Sequence, residues 1–186
     1  PEVRLKNGQW RTLSTATSDI AYGKLGGDSW NYPRAWVRPL GEIFILTGSG
    51  AMFKLDTAGT GTLLKYPKNI LAGRAFLPTI MFSPGRILSV RQSRKSYVVD
   101  FNGAGQPVAT LSGNLAYDRQ YGNLTVLPDG RVWANGGSST GNDLAGMALE
   151  SELWDPATNI WMPAAIAATA RLYHSTSLLL MDGTVI

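Results

Sequence analysis

The sequence predicts an all-β fold: a stretch of β-propeller built from four-stranded antiparallel blades, about three and a half of them. Three observations carry this. Tight turns recur at Pro39-Leu40-Gly41, Ser83-Pro84-Gly85, Leu127-Pro128-Asp129-Gly130 and Met181-Asp182-Gly183, with their glycines 44, 45 and 53 residues apart, a spacing expected of four-stranded blades. Each turn is flanked by short apolar runs of strand length. The composition, with 21 Gly, 10 Pro and 6 Trp among 186 residues, 44% of them hydrophobic and 16% charged, suits many short strands joined by tight turns around an ordinary core.

The elements follow in order. Residues 9–13 read as the last strand of a preceding unit, which occupies 1–13. The strands before the turn glycines are expected at 35–37, 79–82, 124–127 and 177–181, and those after them at 43–46, 87–90, 132–134 and 185–186. Third strands end in an aspartate: 52–55 before Asp56 and 97–99 before Asp100, each 15 residues past its turn glycine, and 153–154 before Asp155, 25 past. The ten extra residues form a loop-like insertion at 138–147. Fourth strands fall at 62–64, 108–111 and 160–162. The chain thus divides into blades at 30–64, 74–111 and 119–162 and the first hairpin of another at 170–186. Without an initiator Met or a leader at Pro1-Glu2-Val3-Arg4, the chain reads as part of a longer protein. Open edge strands would then be covered by missing blades and a C-terminal domain, or by self-association.

Composition also removes function classes. The net charge of +4 is spread along the chain and no basic run exceeds the short 91–95 cluster, so nucleic-acid binding is not indicated. The absence of cysteine excludes disulfides, zinc thiolates and a catalytic thiol in these residues. No apolar run has the roughly 18 residues of a membrane span.

Strand direction sorts the connections. In an antiparallel blade the entries to first strands and the loops between second and third strands share one face, opposite the turn glycines. That face receives the 138–149 loop, the 92–95 loop and the segment around Tyr173 and His174. Propeller ligand sites ordinarily lie on one such mouth. Tyr32, Phe76 and Tyr121 each stand nine residues before their turn glycine, as a packing repeat would. In the last unit His174 takes the ninth position and Tyr173 the tenth. One extra strand residue suggests a β-bulge, which could aim neighbouring side chains at one ion.

His174 is the only histidine of the chain. A lone histidine is more often a hydrogen-bonded core imidazole than a ligand. Imidazole beside a phenolate nevertheless suits copper, and the phenolate can serve as a base. Arg91, Arg94 and Lys95 read as a solvated loop on the same face. Arg34, Arg74, Arg119 and Arg171 recur before the first strands and read as blade-to-blade hydrogen bonders.

Two local patterns carry a resemblance. Asp155-Pro156-Ala157-Thr158-Asn159-Ile160-Trp161, with Asn135-Gly136-Gly137, resembles the kelch repeat. Arg171-Leu172-Tyr173-His174-Ser175, followed by a Leu-rich strand and Asp182-Gly183, resembles the copper-radical oxidases, the galactose oxidase and glyoxal oxidase family. The resemblance covers about Trp30 to Ile186, with Arg171 to Gly183 its specific part. It implies an oxidase that converts a primary alcohol or aldehyde, or a carbohydrate bearing one, with O2 to give hydrogen peroxide. His174 and Tyr173 would be copper ligands and Tyr173 the catalytic base. The remaining ligands, a tyrosine cross-linked to cysteine and a second histidine, are implied to lie outside these residues. Secretion, or a periplasmic or cell-surface location, is implied as well. In galactose oxidase itself a substrate-binding arginine stands where an ungapped count places Trp30, so galactose is not the expected substrate. Substrate-contact candidates on the face are Trp30, Arg91, Arg94, Ser138, Asn142 and Asp143. The alternative is a non-catalytic kelch-type propeller that binds a protein or glycan through the 138–149 loop.

Overall fold

The computed structural model describes residues 1–26, 32–74 and 76–186. Its strands are β1 (Glu2–Arg4), β2 (Trp10–Thr12), β3 (Ala35–Val37), β4 (Ile43–Leu46), β5 (Met52–Asp56), β6 (Thr62–Lys65), β7 (Thr79–Ser83), β8 (Arg86–Val90), β9 (Lys95–Asp100), β10 (Val108–Asn114), β11 (Asn123–Val126), β12 (Val132–Asn135), β13 (Glu150–Asp155) and β14 (Ile160–Ile166). One α-helical turn, α1 (Asp19–Tyr22), starts at Ser18, whose Oγ accepts the Ala21 N–H. Three four-stranded antiparallel meanders result, β3 to β6, β7 to β10 and β11 to β14, with β1 and β2 forming a separate pair.

The chain divides into two compact units, Pro1–Ala75 with Phe101–Gln106, and Phe76–Asp100 with Pro107–Ile186. In the first, β4 is an unbroken apolar run that is buried on both faces of its sheet. Ile45 joins Leu13, Ala16, Ala21, Ala51, Phe53 and Leu55 in one cluster. Phe44 stacks on Phe101 at 4.4 Å. Arg38 is buried here because its donors all find partners: the Tyr66 hydroxyl at 2.9 Å, the Phe101 carbonyl at 3.2 Å and the Gly103 carbonyl.

In the second unit two meanders are joined through tryptophans. The Trp154 ring is wholly buried beside Leu88, Val98 and Val132, edge-on to Phe82 at 4.9 Å. Its Nε1 donates to Ser112 Oγ at 2.9 Å, and Trp161 Nε1 donates to Ser96 Oγ at 3.0 Å. Both indole donors are thereby satisfied inside the packed layer. The last hairpin pairs Leu178 with Ile186 and Leu180 with Thr184 by backbone hydrogen bonds.

The four turn glycines all have positive φ, from 68° at Gly85 to 93° at Gly41, as hairpin turns of this kind require. The third and fourth strands of the last complete meander run longer than expected, to Glu150 at one end and Ile166 at the other. Pro163 hid this extension: β14 is the edge strand, where a missing N–H is tolerated. β1 and α1 carried no comparable signal, since Glu2-Val3-Arg4 is too short for a period to show.

Candidate functional site

The Tyr173 and His174 side chains are brought together by a turn. Ser175 N–H donates to the Leu172 carbonyl at 3.0 Å, and His174 is left-handed with φ 64°. The pair therefore precedes its hairpin, whose strands expected at 177–181 and 185–186 are reduced to the single bridge Leu179 to Val185, and the expected bulge is replaced by this turn. The turn solves the same problem: adjacent side chains that would diverge in a strand lie side by side, with ring centroids 3.7 Å apart and planes tilted by 30°. Both residues are exposed.

Several contacts fix the turn from below. Gly137 N–H donates to the Arg171 carbonyl at 2.7 Å. Gly136 has φ 63°, and a Cβ there would stand 2.6 Å from that carbonyl oxygen, so the double glycine at the end of β12 is what admits the 171 backbone. Asn123 Nδ2 donates to Ser175 Oγ at 2.9 Å, and Thr125 Oγ1 lies 2.7 Å from Ser177 Oγ. From the side, Tyr121 packs on Tyr173 at 4.7 Å and Phe76 stacks on Tyr121 at 4.8 Å. The aromatic repeat read as packing thus continues into the Tyr173 ring.

The 138–147 insertion reaches the same place. Asn142 Oδ1 accepts the Tyr173 N–H at 3.3 Å. Ser138 is buried, pairs through its backbone with Gln120 and through its hydroxyl with Thr140 at 2.9 Å, and so serves the loop's own structure. Asp143 Oδ1 accepts the Ala145 N–H at 2.8 Å and caps a short 3-10 turn, Leu144–Gly146. Arg91 is only 1% exposed, which corrects its reading as part of a solvated loop. Arg94 donates from Nη1 to the Ala116 carbonyl at 2.9 Å. Trp30 lies outside the described residues.

Arg119 departs from the expected blade-to-blade role and bonds within its own meander. Its guanidinium meets Glu152 Oε2 at 2.8 Å and 3.1 Å, the Gly136 carbonyl at 2.9 Å and the Glu150 carbonyl at 2.6 Å. Burial pulls its pKa down and the Glu152 carboxylate opposes that shift. Glu152 Oε1 also accepts the Ala116 N–H at 2.6 Å. Sequence reasoning missed Glu152, because a single glutamate on a strand has no spacing to distinguish it. Burial also lowers the Arg34 guanidinium, to about 10.

Among the described residues no three of His, Cys, Asp and Glu gather in one place. The nitrogen and oxygen donors of His174 and Tyr173 are of the kind that copper accepts, are adjacent, and face solvent where further donors can approach.

The fold has a solved counterpart. A fungal alcohol oxidase, described as showing catalytic diversity among the AA5 family and solved in complex with copper, matches 99% of the chain with a TM-score of 0.85 and 23% identity. The resemblance read in the sequence is found again in the fold. The chain spans 42% of that oxidase. No family model and no curated protein matches the chain. No described helix is long and apolar enough to cross a membrane.

Proposed function

We propose that this chain is part of a copper-dependent oxidase that takes a primary alcohol and O2 to an aldehyde and hydrogen peroxide, or an aldehyde, water and O2 to an acid and hydrogen peroxide. The observation that carries the reading is the pairing of the Tyr173 phenol with the His174 imidazole at 3.7 Å on one tight turn. A copper-bound alcohol oxidase with the same fold supports it.

In this reading a His174 ring nitrogen holds copper and the Tyr173 oxygen is a second donor. Bound copper would supply one-electron chemistry and a Lewis acid for the substrate oxygen. Tyr173 accepts the substrate's hydroxyl proton, a role typically worth ~10²–10⁴-fold in rate. The Tyr121 ring and the Asn142 carbonyl hold the Tyr173 ring and backbone while that proton moves. The resemblance places the other copper donors, including the cross-linked tyrosine, outside these 186 residues.

The test is copper loading of the complete protein followed by a peroxide assay on primary alcohols, aldehydes and sugars. One bound copper with peroxide release is the expected outcome; a protein that takes up no copper ends the reading. The rival, a kelch-type module that binds protein or glycan, is favoured by one feature, the 62% exposure of Leu144 at the tip of the 138–147 loop. It predicts ligand binding that is lost on Leu144→Ala and indifferent to copper.

A further inference from the structure

We infer that Asn142 is a positioning residue: the 138–147 loop uses it to fix the turn on which Tyr173 and His174 meet. Its consequence for copper rests on the proposed function; its consequence for the turn does not.

The 138–147 loop is long for its place in the fold. In the preceding meander the connection from second to third strand is one 3-10 turn, Gln92–Arg94. In the last complete meander it extends across residues 136–149. A flexible loop grows at little entropic cost, but this one is braced. Ser139 N–H donates to the Gly146 carbonyl at 2.9 Å, Thr140 N–H to Ser138 Oγ at 3.1 Å, and Gln120 Nε2 to the Ser139 carbonyl at 2.7 Å. The two strands of the loop approach so closely that a Cβ on Gly146 would meet Ser139 Oγ at 2.2 Å. The brace delivers the Asn142 carbonyl oxygen to the Tyr173 N–H.

The recipient needs such a pin. His174 is a non-glycine residue at φ 64°, a strained conformation that persists only where the surroundings determine it. The Tyr173 N–H belongs to the same peptide group as the Leu172 carbonyl, which accepts the Ser175 N–H and closes the turn around that residue. If this group turns, the imidazole leaves the phenol.

The experiment uses the complete protein in its copper-free form, with the His174 imidazole proton signals assigned as those that vanish in His174→Ala. With wild type and variant compared at one pH, the Tyr173 ring should hold those signals away from their free positions. Asn142→Ala should return them toward the free values, speed exchange of the Tyr173 amide by about 2- to 10-fold, and weaken Cu²⁺ binding by a comparable factor. Asn142→Asp, which keeps an acceptor, should retain the wild-type signals. Imidazole signals and amide exchange unchanged in Asn142→Ala would overturn the inference. If both change while the wild type binds no Cu²⁺, the positioning role stands and the copper reading falls. Asn142 is exposed, so the substitution leaves the core intact.

Discussion

Tyr121 and His174 occupy the same place in successive units: each is left-handed, with φ 60° and 64°, and each stands nine residues before its turn glycine. Both turns close in the same way, by Gly122 N–H onto the Arg119 carbonyl and by Ser175 N–H onto the Leu172 carbonyl. The turn is therefore shared by these two units. What distinguishes the last unit is the imidazole on it and the tyrosine before it.

His174→Gly separates backbone from chemistry. Glycine takes positive φ without steric cost, so this variant should match or exceed the thermal stability of His174→Ala, by about 1 kcal/mol, with no imidazole for a metal. Melting temperatures of the two variants check it; a lower value for glycine would contradict the left-handed turn.

Gly136→Ala should loosen the site from a distance. The new methyl would stand 2.6 Å from the Arg171 carbonyl oxygen at φ 63°, so the 171–175 backbone must move or the glycine turn must strain, at about 1–3 kcal/mol. Denaturant unfolding measures the loss.

Glu152→Ala strands a buried cation. The Arg119 and Glu152 side chains are 0% and 4% exposed, and removing one partner of a buried pair typically costs about 3–5 kcal/mol. Replacing both by apolar residues should cost less than the single change. A double-variant loss equal to the sum of the two single losses would show that the two do not interact.

Acid should open the last hairpin first. The backbone N–H of Thr184 and then its hydroxyl donate to Asp182 Oδ1, at 3.0 Å and 2.7 Å, and hold its carboxyl below the ordinary 3.8. A carboxyl depressed in the folded state stabilises above its unfolded pKa and ceases to as pH falls through the folded value. Protection of the amides in 178–186, taken relative to their intrinsic exchange rates, should therefore fall in acid below about pH 4, and Asp182→Ala should remove that dependence.

Much of this was legible in the sequence because turn chemistry is local. Asp129-Gly130 and Asp182-Gly183 announce their turns, and the aspartates closing the third strands mark their ends at Asp56, Asp100 and Asp155. The Tyr173 and His174 pair was visible by residue type and position. The conformation that joins them was not, because a left-handed histidine is set by contacts from Asn142, Gly137 and Tyr121, which lie 31 to 52 residues away. The same holds for Glu152 and for Arg91, whose burial only the packed sheets decide.

The proposed function requires that the Tyr173 and His174 turn bind copper. Copper stoichiometry in the complete protein for wild type, Tyr173→Phe and His174→Ala decides this. One copper is expected in the wild type and in Tyr173→Phe, the latter with peroxide production reduced by ~10²–10⁴-fold, and no stoichiometric copper in His174→Ala. A His174→Ala protein that retains its copper would contradict it.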